Sequence, residues 1–334
     1  MPGARNITVV APVYNERENI AEFVSRTSAA LDRCAGAAWT IVLVDDGSAD
    51  DTPERVLALR ESEPRVGLVR LSRNFGHQAA LSAGLDAATG DAVVLIDADL
   101  QDPPELIPEL YEAWTGGAEV VLAQRRSRED RGVRGIGFRA FHTLFRFVTD
   151  FPIPADTGIF GLLDRRAADE LRRLSERNRF LPGLRSWIGF QTETVYYDRA
   201  GRAAGEPKQT LRRLVRYAMD GVLSFSYKPL RLMTYAGALI SLAGFSLAVY
   251  FVAKRLLGVE TAETGFTTLV TLILGMGGVQ LLALGLVGEY IARIYDEVKN
   301  RPLYIVSRTH GLGEDAVEPT VLVRGPKAPA ETGA

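Results

Sequence analysis

The 334-residue chain contains one cysteine, Cys34, and three histidines. A single cysteine excludes an intramolecular disulfide framework and a thiolate zinc cluster, and so few histidines leave no His-rich metal site. There is no excess of positive charge: 39 Lys+Arg stand against 41 Asp+Glu, a formal net charge of −2. That balance gives no global attraction to nucleic acid, and no such partner is expected. Gly132, Gly135 and Gly137 follow a charged loop rather than a strand, and no Gly-x-x-x-x-Gly-Lys-Ser/Thr occurs. Nicotinamide dehydrogenase and P-loop ATPase chemistry are therefore disfavoured. No internal repeat is legible. The apolar run Ile7–Val13 is too short for a leader and is followed at once by Asn15 and Glu16. The N-terminal part is thus expected to remain in the cytosol, a reducing compartment that suits Cys34.

Two long uncharged runs stand near the C-terminus, the 22 residues Leu232–Ala253 and the 25 residues Thr264–Gly288. At the helical rise the first is about 33 Å long, which matches a hydrocarbon core of ~30 Å. The predicted organisation is a catalytic domain at 1–205, amphipathic interface helices at 206–231, membrane spans at 232–254 and 264–291, and a cytosolic segment at 292–334 with a disordered end. Arg199–Arg231 carries eight Lys/Arg and two Asp/Glu, and Arg293, Lys299, Arg301 and Arg308 follow the second run. Basic residues gather on the cytoplasmic side, so a multi-pass protein of the cell membrane is expected, with the catalytic domain and both termini cytoplasmic. Within 211–226, Leu211, Leu214, Val215, Ala218, Val222 and Phe225 recur at helical spacing opposite Arg212, Arg213 and Arg216, the pattern of a helix lying in the membrane interface.

The first 125 residues alternate apolar β-branched runs with amphipathic stretches. Strands are predicted at Ile7–Val13, Thr40–Asp46, Val66–Ser72, Ala92–Asp99 and Ala118–Gln124, and helices at Glu18–Cys34, Asp51–Ser62, Gln78–Thr89 and Pro104–Gly116. Repeated βα units of this size predict an α/β fold with a mainly parallel sheet covered by helices. Asp102-Pro-Pro-Glu105 reads as a helix N-cap with a capping-box glutamate. Ligands of such sheets sit beyond the carboxyl ends of the strands, and the polar clusters fall there: Tyr14-Asn15-Glu16, Asp45-Asp46-Gly47-Ser48, Arg73-Asn74 and Asp97-Ala98-Asp99. Asp97, Asp99 and Gln101 supply hard oxygen donors suited to Mg²⁺ or Mn²⁺ bound together with a diphosphate. Carboxylates so close, with no Lys or Arg beside them in sequence, repel one another unless a cation neutralises them.

The segments APVYNE (11–16), VDDGSADDT (44–52), SRNFGHQAALSAG (72–84) and DADLQDPPE (97–105) resemble the inverting family 2 glycosyltransferases of GT-A fold. DTGIFGLLDRRAADEL (156–171) and FSYKPLRL (225–232), followed by two apolar runs, resemble the polyprenyl-phosphate branch that includes bactoprenol glucosyltransferases and dolichyl-phosphate mannose synthases. The resemblance implies a nucleotide diphosphosugar and a polyprenyl phosphate as substrates, UDP-glucose before GDP-mannose, and a homo-oligomer, a tetramer in bacterial relatives. It implies that Pro12, Tyr14, Asn15, Glu16 and Asp46 hold base and ribose, with Asn74 and Ala98 beside them. Asp97 would contact ribose or metal-bound water, Asp99 and Gln101 the metal. Arg125 and Arg139 would face the acceptor phosphate with help from Lys208, and Asp156 occupies the place of an acidic loop residue with a catalytic role. His77, at a helix start, reads as positional. Three other readings compete: a processive polysaccharide synthase, whose Gln-x-x-Arg-Trp pattern is only approached by Arg185-Ser-Trp187, an inactive membrane-anchored nucleotide-sugar-binding scaffold, and a transporter or flippase, for which two uncharged spans offer no polar path.

Overall fold

Strands buried on both faces need uninterrupted apolar sequence, and four such runs build the centre of the sheet. In a computed structural model the described residues are 5–126, 157–177, 179–197, 228–257 and 265–312. Strands β1 (Arg5–Val13), β2 (Ala37–Asp45), β3 (Val66–Leu71) and β4 (Ala92–Leu95) alternate with helices α1 (Ile20–Leu31), α2 (Thr52–Ser62) and α3 (His77–Ala87). A 3-10 turn at Pro104–Leu106 leads into α4 (Ile107–Thr115), then β5 (Val120–Arg125). Beyond these come β6 (Thr157–Asp164), α5 (Arg165–Arg173), α6 (Leu181–Trp187) and β7 (Thr192–Tyr197). Two long helices, α7 (Lys228–Leu256) and α8 (Phe266–Val298), precede a last strand, β8 (Val306–His310).

Among the described residues the sheet has eight strands in the order β7-β5-β6-β4-β1-β2-β3-β8. β1 pairs in parallel with β2 and β4, β2 with β3, and β5 with β7. The expected mainly parallel sheet is present, with two antiparallel intrusions. β6 lies between β4 and β5 and runs against both. β8 closes the far edge against β3. Ile7, Val9, Ile41, Leu43 and Val94 are fully buried, and α1 lays Ile20, Phe23 and Leu31 onto them.

On the other face α3 packs on β1 and β2 through small side chains, because nothing larger fits. A Cβ added at Gly84 would lie 2.2 Å from Val10 Cγ1 and 2.9 Å from Val44 Cγ2. Valine side chains are stiff at χ1 and cannot swing aside. Gly84→Ala gains about 1 kcal/mol of helix propensity, yet overpacking of about 1–3 kcal/mol opposes it. The expected result is a melting temperature lowered by several degrees in the purified full-length protein; an unchanged or raised value would show that the helix can slide outward without cost.

The predicted N-cap at Asp102 is not made. The 3-10 turn is preceded by Pro103 with no side-chain cap, and Glu105 instead grips Arg26 at 2.7 and 2.9 Å. The Asp102 carboxylate is buried and takes other partners, described below.

The chain divides into two compact units. One holds Met1–His142, Phe151–Thr210 and Asn300–Ala334, the other Thr143–Asp150 and Leu211–Lys299. In the second unit α7 has 29 residues and α8 has 33, with Leu232, Tyr235, Phe245, Leu281, Leu282 and Ile294 among many large apolar side chains left open. Among the described residues one helical stretch, Gly275–Val298, is long and apolar enough to cross a membrane, and a shorter apolar stretch covers Leu230–Ser246. After α8 the chain rejoins the first unit. Ile305 O accepts from Ser72 N–H at 2.9 Å, Ser307 Oγ donates to Arg70 O at 3.0 Å, and Tyr304 Oη donates to Asp86 Oδ2 at 2.6 Å. A strand in the segment 292–334 was not expected from sequence.

Candidate active site

The carboxyl ends of β1, β2, β3 and β4 surround a cleft of about 330 Å³. Its walls include Pro12, Tyr14, Glu16, Asp46, Asn74, Asp97, Ala98 and Asp99, so most of the residues singled out from sequence converge there. Val13, Gly76, His77 and Ala80 also line it. The expected strand Ala92–Asp99 ends in the ladder at Leu95, which frees Asp97 and Asp99 to turn into the cleft.

Each loop is held by a specific contact. Asn15 adopts φ 55°, a left-handed conformation that asparagine tolerates. Its N–H donates to Ser48 Oγ and its Oδ1 accepts from Ala49 N–H, both at 2.9 Å. Asn15 therefore ties the loop after β1 to the loop after β2, beside Tyr14 and Glu16 of the cleft wall. Asp46 grips the loop between β3 and α3: Oδ1 accepts from Phe75 N–H at 2.7 Å and Oδ2 from Gly76 N–H at 2.9 Å. Burial raises the Asp46 pKa above the usual carboxylate value against the lowering effect of those two bonds. Asp45 is fully buried and accepts from Ser48 N–H at 3.0 Å, with Arg70 Nε 3.3 Å from its other oxygen.

The loop after β4 turns sharply. Leu100 has φ 58°, a left-handed backbone that costs a non-glycine residue about 1 kcal/mol or more. The turn brings Gln101 N–H back onto Asp99 Oδ1 at 3.0 Å. This backbone contact supports Asp99; the Gln101 side chain is not part of the cleft lining, where a third metal ligand was expected. His77 is in the wall, with Nε2 2.7 Å from Asp97 Oδ1. Burial pulls its pKa down, but the Asp97 bond and the charges of Asp97, Asp46 and Asp99 leave it raised overall. Glu16 is also raised, chiefly by burial and further by Asp99, Asp50 and Asp97, while its bond from Asn19 opposes the shift. The His77–Asp97 contact was missed from sequence, where the helix-start position was the visible signal.

Arg125, at the end of β5, is not in the lining of this cleft. Its Nε donates to Tyr197 Oη at 3.0 Å and its Nη2 to Asp102 Oδ1 at 2.9 Å. Asp156, Arg139, Lys208 and the amphipathic stretch 211–226 lie outside the described residues.

The lining contains, among the described residues, four carboxylates and no lysine or arginine. Among the described residues no three Asp, Glu, His or Cys come together as a ready metal cage. Two carboxylates without a cage fit an ion that completes its shell with substrate phosphate and water, and do not fit one held by protein alone.

A mainly parallel α/β sheet with a carboxylate cleft at its strand ends agrees with the GT-A architecture that the sequence resemblance implies. The chain belongs to glycosyltransferase family 2: residues 8–172 match the family model "Glycosyl transferase family 2", and residues 228–294 match "GtrB C-terminal hairpin". It is 44% identical over 91% of its length to the uncharacterized glycosyltransferase YkcC of Bacillus subtilis, covering 94% of that protein. It is 42% identical to the uncharacterized glycosyltransferase sll0501 of Synechocystis, covering 92% of this chain and 96% of the other. The SfII prophage-derived bactoprenol glucosyl transferase of Shigella flexneri is 41% identical over 91% of this chain and 98% of its own.

Proposed function

We propose that this glycosyltransferase moves one sugar, glucose from UDP-glucose in first place, onto a polyprenyl phosphate with inversion at the anomeric carbon, at the cytoplasmic face of the cell membrane. The observation that carries the reading is the cleft itself: an exposed aromatic, Tyr14, at one wall and the Asp97–Asp99 pair at another. Tyr14 suits stacking against a nucleobase, and the carboxylates suit an ion on a diphosphate. Asp97 and Asp99 would hold Mg²⁺ or Mn²⁺ there, and the ion would supply Lewis-acid neutralisation of the departing nucleoside diphosphate. The acceptor and the glucose follow from the relative named bactoprenol glucosyl transferase, which matches along nearly its full length.

The protein's own task is then alignment. A phosphate monoester is already anionic at neutral pH, so its oxygen needs little help from a base. As that oxygen bonds to the anomeric carbon, the bond to the β-phosphate oxygen breaks on the opposite side, and charge moves to the diphosphate. Holding the two reactants in line supplies part of the acceleration. Arg125 is the residue for the acceptor phosphate, since a guanidinium binds such oxygens in bidentate fashion.

α7 and α8 serve as the membrane hairpin. The pairing of β8, which follows α8, with β3 favours two crossings over one, since an even number returns the chain to the side where it started. Long helices with open leucine, phenylalanine and tyrosine side chains match lipid rather than water.

The test is transfer to undecaprenyl phosphate by the purified full chain, with a panel of UDP- and GDP-sugars, Mg²⁺ or Mn²⁺, and an EDTA control. A glucosyl lipid from UDP-glucose alone, lost with EDTA, is the expected result. Product from GDP-mannose instead would replace the donor, and nucleotide binding without product from any donor would turn the reading to a scaffold.

A further inference from the structure

β5 ends on a cation after an apolar run, and that cation is not left to move. The Arg125 Nε donates to Tyr197 Oη at 3.0 Å, and Nη2 donates to both oxygens of Asp102 at 2.9 and 3.3 Å. Tyr197 Oη in turn donates to Asp102 Oδ1 at 2.5 Å, so the three groups close a ring of hydrogen bonds. Arg125 and Tyr197 are register partners on β5 and β7, and the Tyr197 ring meets Phe160 edge-on at 6.2 Å between centroids. The Asp102 carboxylate is 4% exposed while the Arg125 side chain is 34% exposed, so the buried members hold one that still reaches solvent. Asp102 stands three residues after Asp99, in the same loop that carries Asp97 and Asp99 into the cleft.

A buried ion pair is weak support for stability, because desolvation offsets most of its attraction. What it supplies here is geometry. An arginine side chain has many rotamers, and a phosphate that binds a free one must first order it; a guanidinium already fixed in its plane avoids that cost. From this ring we infer that Asp102 and Tyr197 are positioning residues for the acceptor: they fix the Arg125 guanidinium and tether it to the donor's loop, setting where the polyprenyl phosphate stands relative to the diphosphosugar. The inference rests on the acceptor reading proposed above.

The test uses the full chain in detergent and two binding measurements, geranylgeranyl phosphate and, separately, UDP with Mn²⁺. Tyr197→Phe keeps the ring and removes only the hydroxyl. It is expected to weaken lipid-phosphate binding about five- to tenfold and leave UDP affinity within about twofold. In an Arg125→Ala background the same change is expected to add nothing, since contacts that act through one residue are not additive. A Tyr197→Phe effect that persists in full in that background, a parallel fall of lipid and UDP affinity, or no effect at all would each overturn the positioning role. Lipid-phosphate binding by the parent that Arg125→Ala leaves intact would overturn it while the acceptor reading stands. A parent that binds UDP but no lipid phosphate would overturn both.

Discussion

Asp99→Asn is expected to lower sugar transfer by about 10²- to 10³-fold, the range seen when one group that stabilises developing charge is removed. The substitution keeps shape and the local bond: Asp99 Oδ1 accepts from Gln101 N–H, and an asparagine oxygen in the same place accepts it equally. Folding should therefore be intact, with a melting temperature close to that of the parent. What is lost is a charge that, on the proposed reading, faces the diphosphate. Asp97 is already engaged by His77 at 2.7 Å, so the remaining carboxylate cannot take over the whole role. Nucleotide affinity is the second readout. In the parent it should rise on adding Mn²⁺, and in Asp99→Asn that rise should vanish while metal-free UDP binding persists. Glu16 provides a third, because Asp99 is one of the charges that hold its pKa up, and that pKa should fall towards the ordinary carboxylate value. Transfer within about threefold of the parent would remove Asp99 from the reaction, whatever the fold.

The half of the sheet that carries the cleft was legible because its information is local. Parallel strands buried on both faces read as apolar runs, amphipathic helices read between them, and the rule that ligands sit at the carboxyl ends of the strands then located the cleft. The parts that were not legible depend on partners far away in the chain. β6 inserts antiparallel between β4 and β5, and nothing in Thr157–Asp164 announces which neighbours it takes. β8 is a polar edge strand whose partner, β3, precedes it by more than two hundred residues. Asp102 shows the conflict most clearly. Its spacing to Pro103 and Glu105 suits a capping box, yet Arg125 and Tyr197 claim its carboxylate from β5 and β7, and a buried charge must pair where a helix cap can be omitted. Asn15 and Gln101 lie in the expected loops, where Asn15 joins the loops after β1 and β2 and Gln101 N–H supports Asp99. Motif position names the loop, whereas the direction of each side chain depends on backbone turns such as the left-handed ones at Asn15 and Leu100.

Gly47→Ala is expected to damage both stability and nucleotide binding, and the two causes can be separated. Gly47 has φ +72°, where a Cβ costs about 1–2 kcal/mol. That Cβ would also lie 2.5 Å from the carbonyl carbon of Arg73, 2.7 Å from Asn74 N and 2.9 Å from Arg73 Cα. These are backbone atoms, which cannot rotate aside, so the loop between β3 and α3 must move. That loop carries Asn74 and His77 into the cleft and is pinned at Phe75 and Gly76 by Asp46, the residue beside Gly47. Displacing it should therefore pull on Asp46 as well. Gly36, in the turn between α1 and β2, isolates the first cause: it has φ +73° and nothing within 4 Å of an added Cβ. Gly36→Ala is expected to lower stability by about 1 kcal/mol and leave UDP affinity unchanged. Gly47→Ala is expected to exceed that loss and to weaken UDP binding about tenfold or more, because displacing a preorganised wall carries its own ordering cost. If the two alanine variants behave alike, the loop yields without cost, and the contact between the loops after β2 and β3 does not shape the nucleotide site.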